Sequence, residues 1–185
     1  MLTAIASFAE VLAAAQAGSP WALQRLYDAL SGSVLGFCRA RGAVEPEDVT
    51  SEVFLAVFTS LREFTGDEGQ FRSWVFTIAH RRIVDSFRRQ SRRPVTAPYR
   101  PETDDRTVRS SEDEALAGFA TQRVRELITD LAPDQRDVLL LRIIGDLTVE
   151  QIAASLGKTE GAVKALQRRA LASLRKRIER AGVPL

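Results

Sequence analysis

The sequence predicts an all-α protein: two helical domains joined by a flexible linker. Three observations carry this. Apolar residues recur at spacings of three and four along nearly the whole chain, and alternating strand-like runs are almost absent. Prolines and glycines punctuate the pattern where helices would start and stop, with Pro20, Pro46 and Pro133 ahead of apolar runs and Gly42 and Gly157 behind them. One stretch, PVTAPYRPETDDRTVRSS from Pro94, holds three prolines and little periodicity, as a tether would. The expected division is residues 1–93, a linker at 94–113 and a second domain at 114–185.

The elements follow in order. MLTAIASFAEVLAAAQAG is apolar but lacks a basic leader and is interrupted by Glu10, so it reads as an amphipathic helix and not a signal peptide. Ser19-Pro20 resembles an N-cap followed by proline at the first helical position. Behind it Trp21, Leu23, Leu26, Tyr27, Leu30, Val34, Phe37 and Cys38 form a stripe that ends near Arg41-Gly42. Pro46 opens a helix with Val49, Val53, Val57 and Leu61 inside and Phe54 and Phe58 beside them. Thr65 to Gly69 is a turn-rich break. A long helix follows on Phe71, Trp74, Val75, Ile78, Ile83 and Phe87, running to Pro94. Beyond the linker, Leu116, Phe119, Val124, Leu127, Ile128 and Leu131 share one helix, and Pro133 opens another with Val138, Leu139, Leu141, Arg142 and Ile143.

Composition narrows the chemistry. The 185 residues are 45% hydrophobic, enough for a buried core. A single cysteine, Cys38, excludes an internal disulfide, and one histidine, His80, leaves no conventional metal set. No nucleophile–base pair or phosphate loop is present, so the expectation is a non-enzyme with no catalytic residue, metal or cofactor. No apolar run reaches membrane-span length, and a cytoplasmic location is expected. Net charge is only +2, but Gln70–Arg93 carries +6 and Lys158–Arg180 another +6, which leaves the remainder at −10. Two phosphate-facing surfaces are the simplest functional reading, against two solvated helix faces.

The second basic block sits on a helix-turn-helix. Thr148-Val-Glu-Gln151 fits a capping box, Ile152, Ala153 and Leu156 face inward, Gly157 ends the first helix, and Thr159 caps a second that packs back through Val163 and Leu166. Lys158 stands where an apolar residue is usual and can snorkel. Thr159, Glu160, Lys164, Ala165 and Arg168 then face outward, as residues that enter a major groove do, and Arg169, Arg175 and Lys176 suit phosphates.

The first basic block offers something else. Behind the turn-rich break, Arg72, Arg81, Arg82, Arg88 and Arg89 can hold a nucleic-acid backbone, with His80 among them. Trp74, at helical spacing with Phe71 and Ile78, reads as core before base-stacking platform. Asp85 can pair with Arg81, Arg82 or Arg89. On the preceding helix, Asp48 and Glu52 lie one turn apart. Like charges at that spacing are mildly destabilising, which suits a basic partner surface, an ordinary solvated face being the alternative.

Four stretches in this order, PEDVTSEVFLAVF, FRSWVFTIAHRRIVDSFRR, LAPDQRDVLLLRIIGDLTVEQIAASLG and TEGAVKALQRRALASLR, resemble the extracytoplasmic-function (ECF, group IV) sigma factors, small specificity subunits of bacterial RNA polymerase. The EGAVKALQRRA and SEVF variants resemble the actinobacterial branch that includes the developmental sigma factor BldN. The resemblance implies that Glu47, Asp48, Ser51 and Glu52 meet the clamp helices of the core RNA polymerase β′ subunit. It implies that Thr65–Gln70 and the following helix, with Arg72, His80, Arg81, Arg82, Arg88 and Arg89, capture and melt the −10 element. It implies that Thr159–Arg169 read the −35 element, that this domain docks on the β flap, and that an anti-sigma factor restrains the protein. The chain departs from the family pattern at Ser51, commonly Gln, and at Arg81, commonly Asn. Two other readings stay open: a stand-alone helix-turn-helix regulator that binds duplex DNA without polymerase, and an adaptor that keeps the fold without promoter opening. A linker of about twenty residues leaves the two domains free of each other unless a partner fixes them.

Overall fold

The computed structural model describes residues 6–92 and 128–180. They form seven α-helices and, among the described residues, no strand: α1 Phe8–Gln16, α2 Pro20–Arg41, α3 Pro46–Ser60, α4 Glu68–Arg92, α5 Pro133–Ile143, α6 Val149–Leu156 and α7 Glu160–Arg180. The expected linker at 94–113 and the apolar positions Leu116, Phe119, Val124 and Leu127 lie outside the described residues.

Helix α1 starts at a capping box. Glu10 N donates to Ser7 Oγ, while Ser7 N and Ser7 Oγ donate to Glu10 Oε2 at 2.7 and 2.9 Å and hold the Glu10 carboxyl below the usual carboxylate range. Ser19 occupies the cap position of α2 but gives it no side-chain bond, so Pro20 at the first helical position carries the signal there. Gly42, at φ 87°, closes α2: Gly42 N donates to Arg39 O and Ala43 N to Cys38 O, satisfying carbonyls that the helix end leaves open.

The buried ridge of α2 is Ala22, Leu26, Leu30, Val34, Phe37 and Cys38. The expected stripe included Trp21 and Tyr27, and the structure corrects both. Trp21 is 53% exposed, because the small Ala22 is the residue pressed inward. Tyr27 sits at the rim, 4.7 Å from the Phe54 ring centroid. Helix α3 buries Val49, Thr50, Val53, Phe54 and Val57, and the Thr50 hydroxyl is satisfied by donating to Pro46 O at 2.7 Å. A 3₁₀ turn, Leu61–Glu63, follows. Gln16 Nε2 donates to Leu61 O and Phe64 O and so ties α1 to this turn.

The break before α4 is shorter than expected. Gln70 N donates to Asp67 Oδ1 at 2.8 Å and Asp67 N to Gln70 Oε1 at 2.9 Å, so Asp67 caps the helix and Glu68, Gly69 and Gln70 already lie within it. The turn holds Gly66 for want of space: a Cβ there would fall 2.7 Å from Gln70 Oε1. Helix α4 buries Phe71, Val75, Phe76, Ala79 and Ile83, and Phe76 meets Phe37 edge to face at 5.5 Å. Trp74 is half-buried and stacks on Phe64 at 5.0 Å, as a core residue does.

In the second half, α5 buries five consecutive residues, Asp137 to Leu141, because α7 covers one side of it and α2 the other. Ile143, at the end of that helix, is 68% exposed. Leu131, Leu139, Ala170 and Leu174 make a small separate cluster. The remaining apolar residues, Val138, Leu140, Leu141, Leu147, Ile152, Ala153 and Val163, join the core of α1–α4. The two helical modules, whose packing the sequence leaves open, touch each other: α5 packs on α2 and α6 on α4.

Phe37→Ala should lower the unfolding free energy by about 3–5 kcal/mol in urea titration. Trp21→Ala should cost less than about 0.5 kcal/mol, since its ring faces water.

Candidate nucleic-acid and partner interfaces

The helix-turn-helix is built from local signals. Gln151 N donates to Thr148 Oγ1 at 3.2 Å and Thr148 N to Gln151 Oε1 at 2.9 Å, completing the capping box of α6. Gly157, at φ 63°, ends α6, and Lys158 N donates to Ala153 O. Lys158 Nζ reaches Asp134 of α5 at 2.8 Å, so the residue that departs from the apolar pattern pins the turn to its neighbour. Thr159 Oγ1 accepts from Ala162 N at the start of α7. Val163 then turns inward, which leaves Thr159, Glu160, Lys164, Arg168 and Arg169 exposed and Ala165 half-buried. Glu160 and Lys164 pair at 3.3 Å along the face, a contact weak enough to exchange for a ligand. Farther along α7, Leu171 is 51% exposed between Arg168 and Arg175, an apolar patch that the sequence reading missed.

The acidic residues of α3 border a groove against α4, lined by Val44, Glu45, Asp48, Glu52, Ser86 and Arg89. Glu52 Oε2 lies 3.2 Å from Arg89 Nη2. Glu47 pairs with Arg39 at 2.6 Å, and that hydrogen bond holds its carboxyl below the usual range. Ser51 is exposed and its hydroxyl donates to Glu47 O. Asp48 is exposed at the groove. Val44, 69% exposed, gives the groove an apolar edge. An apolar residue two places ahead of Pro46 in an acidic stretch was the signal available for it.

The basic residues of α4 do not form one patch. Arg89 belongs to the acidic groove. His80 turns inward, its Nε2 3.1 Å from Asp137 Oδ2 on α5. Arg72 is half-buried beside Phe8, Glu68 and Phe71. Arg81 and Arg88 are exposed and Arg82 is half-buried. Asp85 pairs with Arg88 at 3.5 Å and with none of the three arginines expected for it. Among the described residues no group of three or more His, Cys, Asp or Glu is placed to hold a metal ion.

Residues 24–93 match the Sigma-70 region 2 family and residues 127–176 the Sigma-70, region 4 family. The chain is 34% identical over 179 residues to the ECF RNA polymerase sigma factor SigD of Mycobacterium tuberculosis, covering 93% of this chain and 84% of SigD. It belongs to the ECF RNA polymerase sigma factors. The sigma factor BldN of Streptomyces coelicolor is 33% identical over 167 residues, 89% of this chain, and the match spans 63% of the length of BldN. CnrH, solved in complex with the cytosolic domain of CnrY, shares the fold with a TM-score of 0.68 at 23% identity, covering 91% of this chain and 95% of CnrH. The acidic groove of this sigma factor thus lies within its region 2 match and the helix-turn-helix within its region 4 match.

Cys38 is fully buried in the sigma factor, and burial pushes its thiol up to about 11 from an ordinary 9.0. The unfolded chain deprotonates first, so it holds fewer protons than the folded chain above pH 9. Stability should be whole below pH 9 and fall by on the order of 2 kcal/mol as pH rises to 11. Denaturation of wild type against Cys38→Ala across that window checks this: the slope attributable to the thiol should vanish in the variant.

Proposed function

We propose that this sigma factor binds core RNA polymerase, directs it to specific promoters and helps to open the −10 region so that transcription starts. The observation that carries the proposal is the placement of two unlike surfaces on one chain. An acidic groove with an apolar edge, centred on Asp48 and Glu52, fits a basic protein surface such as the β′ clamp helices. An exposed basic helix face, Thr159 to Arg169, fits the major groove of the −35 element. In this reading residues 1–93 serve polymerase and the −10 element, 94–113 are the linker, and 114–185 serve the −35 element and the β flap.

Arg72, Arg81, Arg82 and Arg88 take phosphates of the partly melted strand in this proposal, and the start of α4 with the preceding turn takes its bases. Arg89 takes the place of a groove wall as well as a phosphate contact, since Glu52 holds it there. His80 contacts DNA only when it leaves Asp137. An anti-sigma factor is the proposed regulatory partner, supported by the sigma factor RpoE of Bartonella quintana, solved with the anti-sigma factor NepR, which shares the fold at a TM-score of 0.64 and 17% identity. The proposal assigns the chain no chemical step, metal or cofactor. The site of action is the cytoplasm, where polymerase works, and no described helix is long and apolar enough to cross a membrane.

Size exclusion with core RNA polymerase tests the proposal. Wild type should co-elute with the core enzyme, and Asp48→Arg/Glu52→Arg should lose co-elution while keeping its helical signal. Co-elution that survives the double substitution moves the polymerase contact away from the groove. Absence of co-elution in wild type, together with tight duplex binding by the protein alone, overturns the proposal in favour of a stand-alone regulator.

For the −35 reader, Lys164→Ala and Arg168→Ala should each weaken promoter binding by the holoenzyme. A lost base contact costs about 1–3 kcal/mol and relaxes selectivity at one position, whereas a lost phosphate contact weakens all sequences alike and lowers the salt slope by about 1. Filter binding across a salt series separates the two.

A further inference from the structure

The turn that leads into α4 is anchored from beneath by α1, a helix to which the proposed function gives no task. Residues 65–70 are all exposed, yet the chain on which they stand is tied down. Gln16, the last residue of α1, donates from Nε2 to Leu61 O at 3.0 Å and to Phe64 O at 2.8 Å, the carbonyls at the two ends of the 3₁₀ turn. Both partners can only accept, so the amide nitrogen and not its oxygen must face them. The Phe64 ring is held as well. It lies 5.0 Å from Trp74 and 5.4 Å from Phe71, and Phe71 meets Phe8 of α1 at 5.7 Å. Phe64 is thus fixed through its backbone and through its side chain, one residue before the exposed turn begins.

Once its foot is set, the turn has little freedom. Asp67 and Gln70 close it by their reciprocal bonds. A Cβ on Gly66 would fall 3.0 Å from Phe64 Cζ, so the ring at the foot also bounds the turn. A loop ordered before it meets its ligand has no such freedom left to lose on binding, and this raises affinity for the ligand that fits. The anchor is remote from the other working surfaces. The acidic groove uses Ser86 and Arg89, and at ~1.5 Å per residue Arg89 lies about 28 Å along α4 from Gln70. The −35 face belongs to α7, and Gln16 has no hydrogen bond to it.

We propose that Gln16 is a positioning residue for the −10 element: by anchoring the foot of the turn, it presents residues 65–70 to a flipped base in one fixed arrangement. Gln16 itself touches no base. It acts through the carbonyls of Leu61 and Phe64, and α1 thereby becomes part of the promoter-reading apparatus. Without the Gln16 donor, the backbone at the foot is held by the bond from Phe64 N to Leu61 O alone. Phe64 O, half shielded from water, then turns outward to be hydrated, and the turn samples more than one arrangement. A base that needs a single arrangement binds more weakly, while contacts to phosphate, made by side chains farther along α4, do not change. The inference rests on the proposed function, because the turn matters to DNA only if it takes −10 bases.

Holoenzyme reconstituted from core RNA polymerase and the full chain tests it. The probes are two single-stranded oligonucleotides. One carries the −10 sequence that the wild-type holoenzyme enriches from a random pool, and the other carries the same bases scrambled. Gln16→Glu keeps the size of the side chain but replaces the donor by an acceptor, whereas Gln16→Lys keeps a donor on a chain one atom longer. Wild type should prefer the selected strand. Gln16→Glu should bind that strand about tenfold more weakly, bind the scrambled strand as before, and keep its helical signal and its affinity for core. Gln16→Lys should stay close to wild type. Equal weakening of both strands and of core binding in Gln16→Glu means a general loss of structure and overturns the inference. An equal loss of preference in Gln16→Lys overturns the part played by the donated bonds. A wild-type holoenzyme that binds both strands alike refutes the −10 reading itself, whereas a discriminating wild type with an equally discriminating Gln16→Glu refutes the positioning role alone.

Discussion

The arrangement depends on the burial of one face of α4 against α2 and α3. Val34, Phe37, Val53, Val57, Val75, Phe76, Ala79 and Ile83 are all fully excluded from water. A helix advances by 100° per residue, so fixing those inner positions fixes every other side chain on α4. Arg81 and Arg88 must project outward, Arg89 must lean toward α3, and His80 must look toward the next layer. A basic run in sequence is thus divided by packing among three environments: solvent, an acidic groove and a buried junction. Close packing transmits this division firmly, because a core at crystal-like density does not allow the helix to rotate.

The charge pattern takes on a different meaning in three dimensions. Along the chain, two +6 blocks stand apart from an acidic remainder. In space, each block carries its own acids: Glu52, Asp85 and Asp137 meet Arg89, Arg88 and His80 of α4, while Asp130, Asp134 and Glu160 pair with Arg177, Lys158 and Lys164. Most of these pairs are exposed and individually weak. They keep long basic side chains ordered and hydrated at little cost, ready to exchange a carboxylate for a phosphate. Asp137 differs because it is buried, and a buried pair is specific about who its partner is.

Much of this was legible in the sequence because it is local. Caps and turns such as Thr148–Gln151, Gly42 and Gly157 act within a few residues, and their identities report their conformations. The helix-turn-helix face followed from the inward positions Ile152, Ala153 and Val163, whose spacing leaves Lys164 and Arg168 outside. The misses share a cause. Trp21 was counted inward because hydrophobicity alone does not distinguish a large residue beside a small one at a tight crossing. The exposure of Ile143 could not be read from periodicity, which does not say where covering neighbours end. The Asp67–Gln70 cap was passed over because glycines on either side suggested a longer break. The burial of Asp137 against Arg41 and His80 was invisible in principle: the three are separated by 39 and 57 residues, and an acid on the apolar α5 looks like an ordinary surface position until a neighbouring layer covers it.

Cys38 is placed where oxidants do not reach it. Oxidants attack thiolates, and burial that pushes the Cys38 thiol up to about 11 leaves little of that form at neutral pH. Its side chain is also fully enclosed by the α2–α3 core, and the chain has no second cysteine with which to form an internal disulfide. The thiol is therefore shielded from peroxide and from the thiol buffer around it. Cys38 thus serves the core as a small apolar side chain and not as a redox switch.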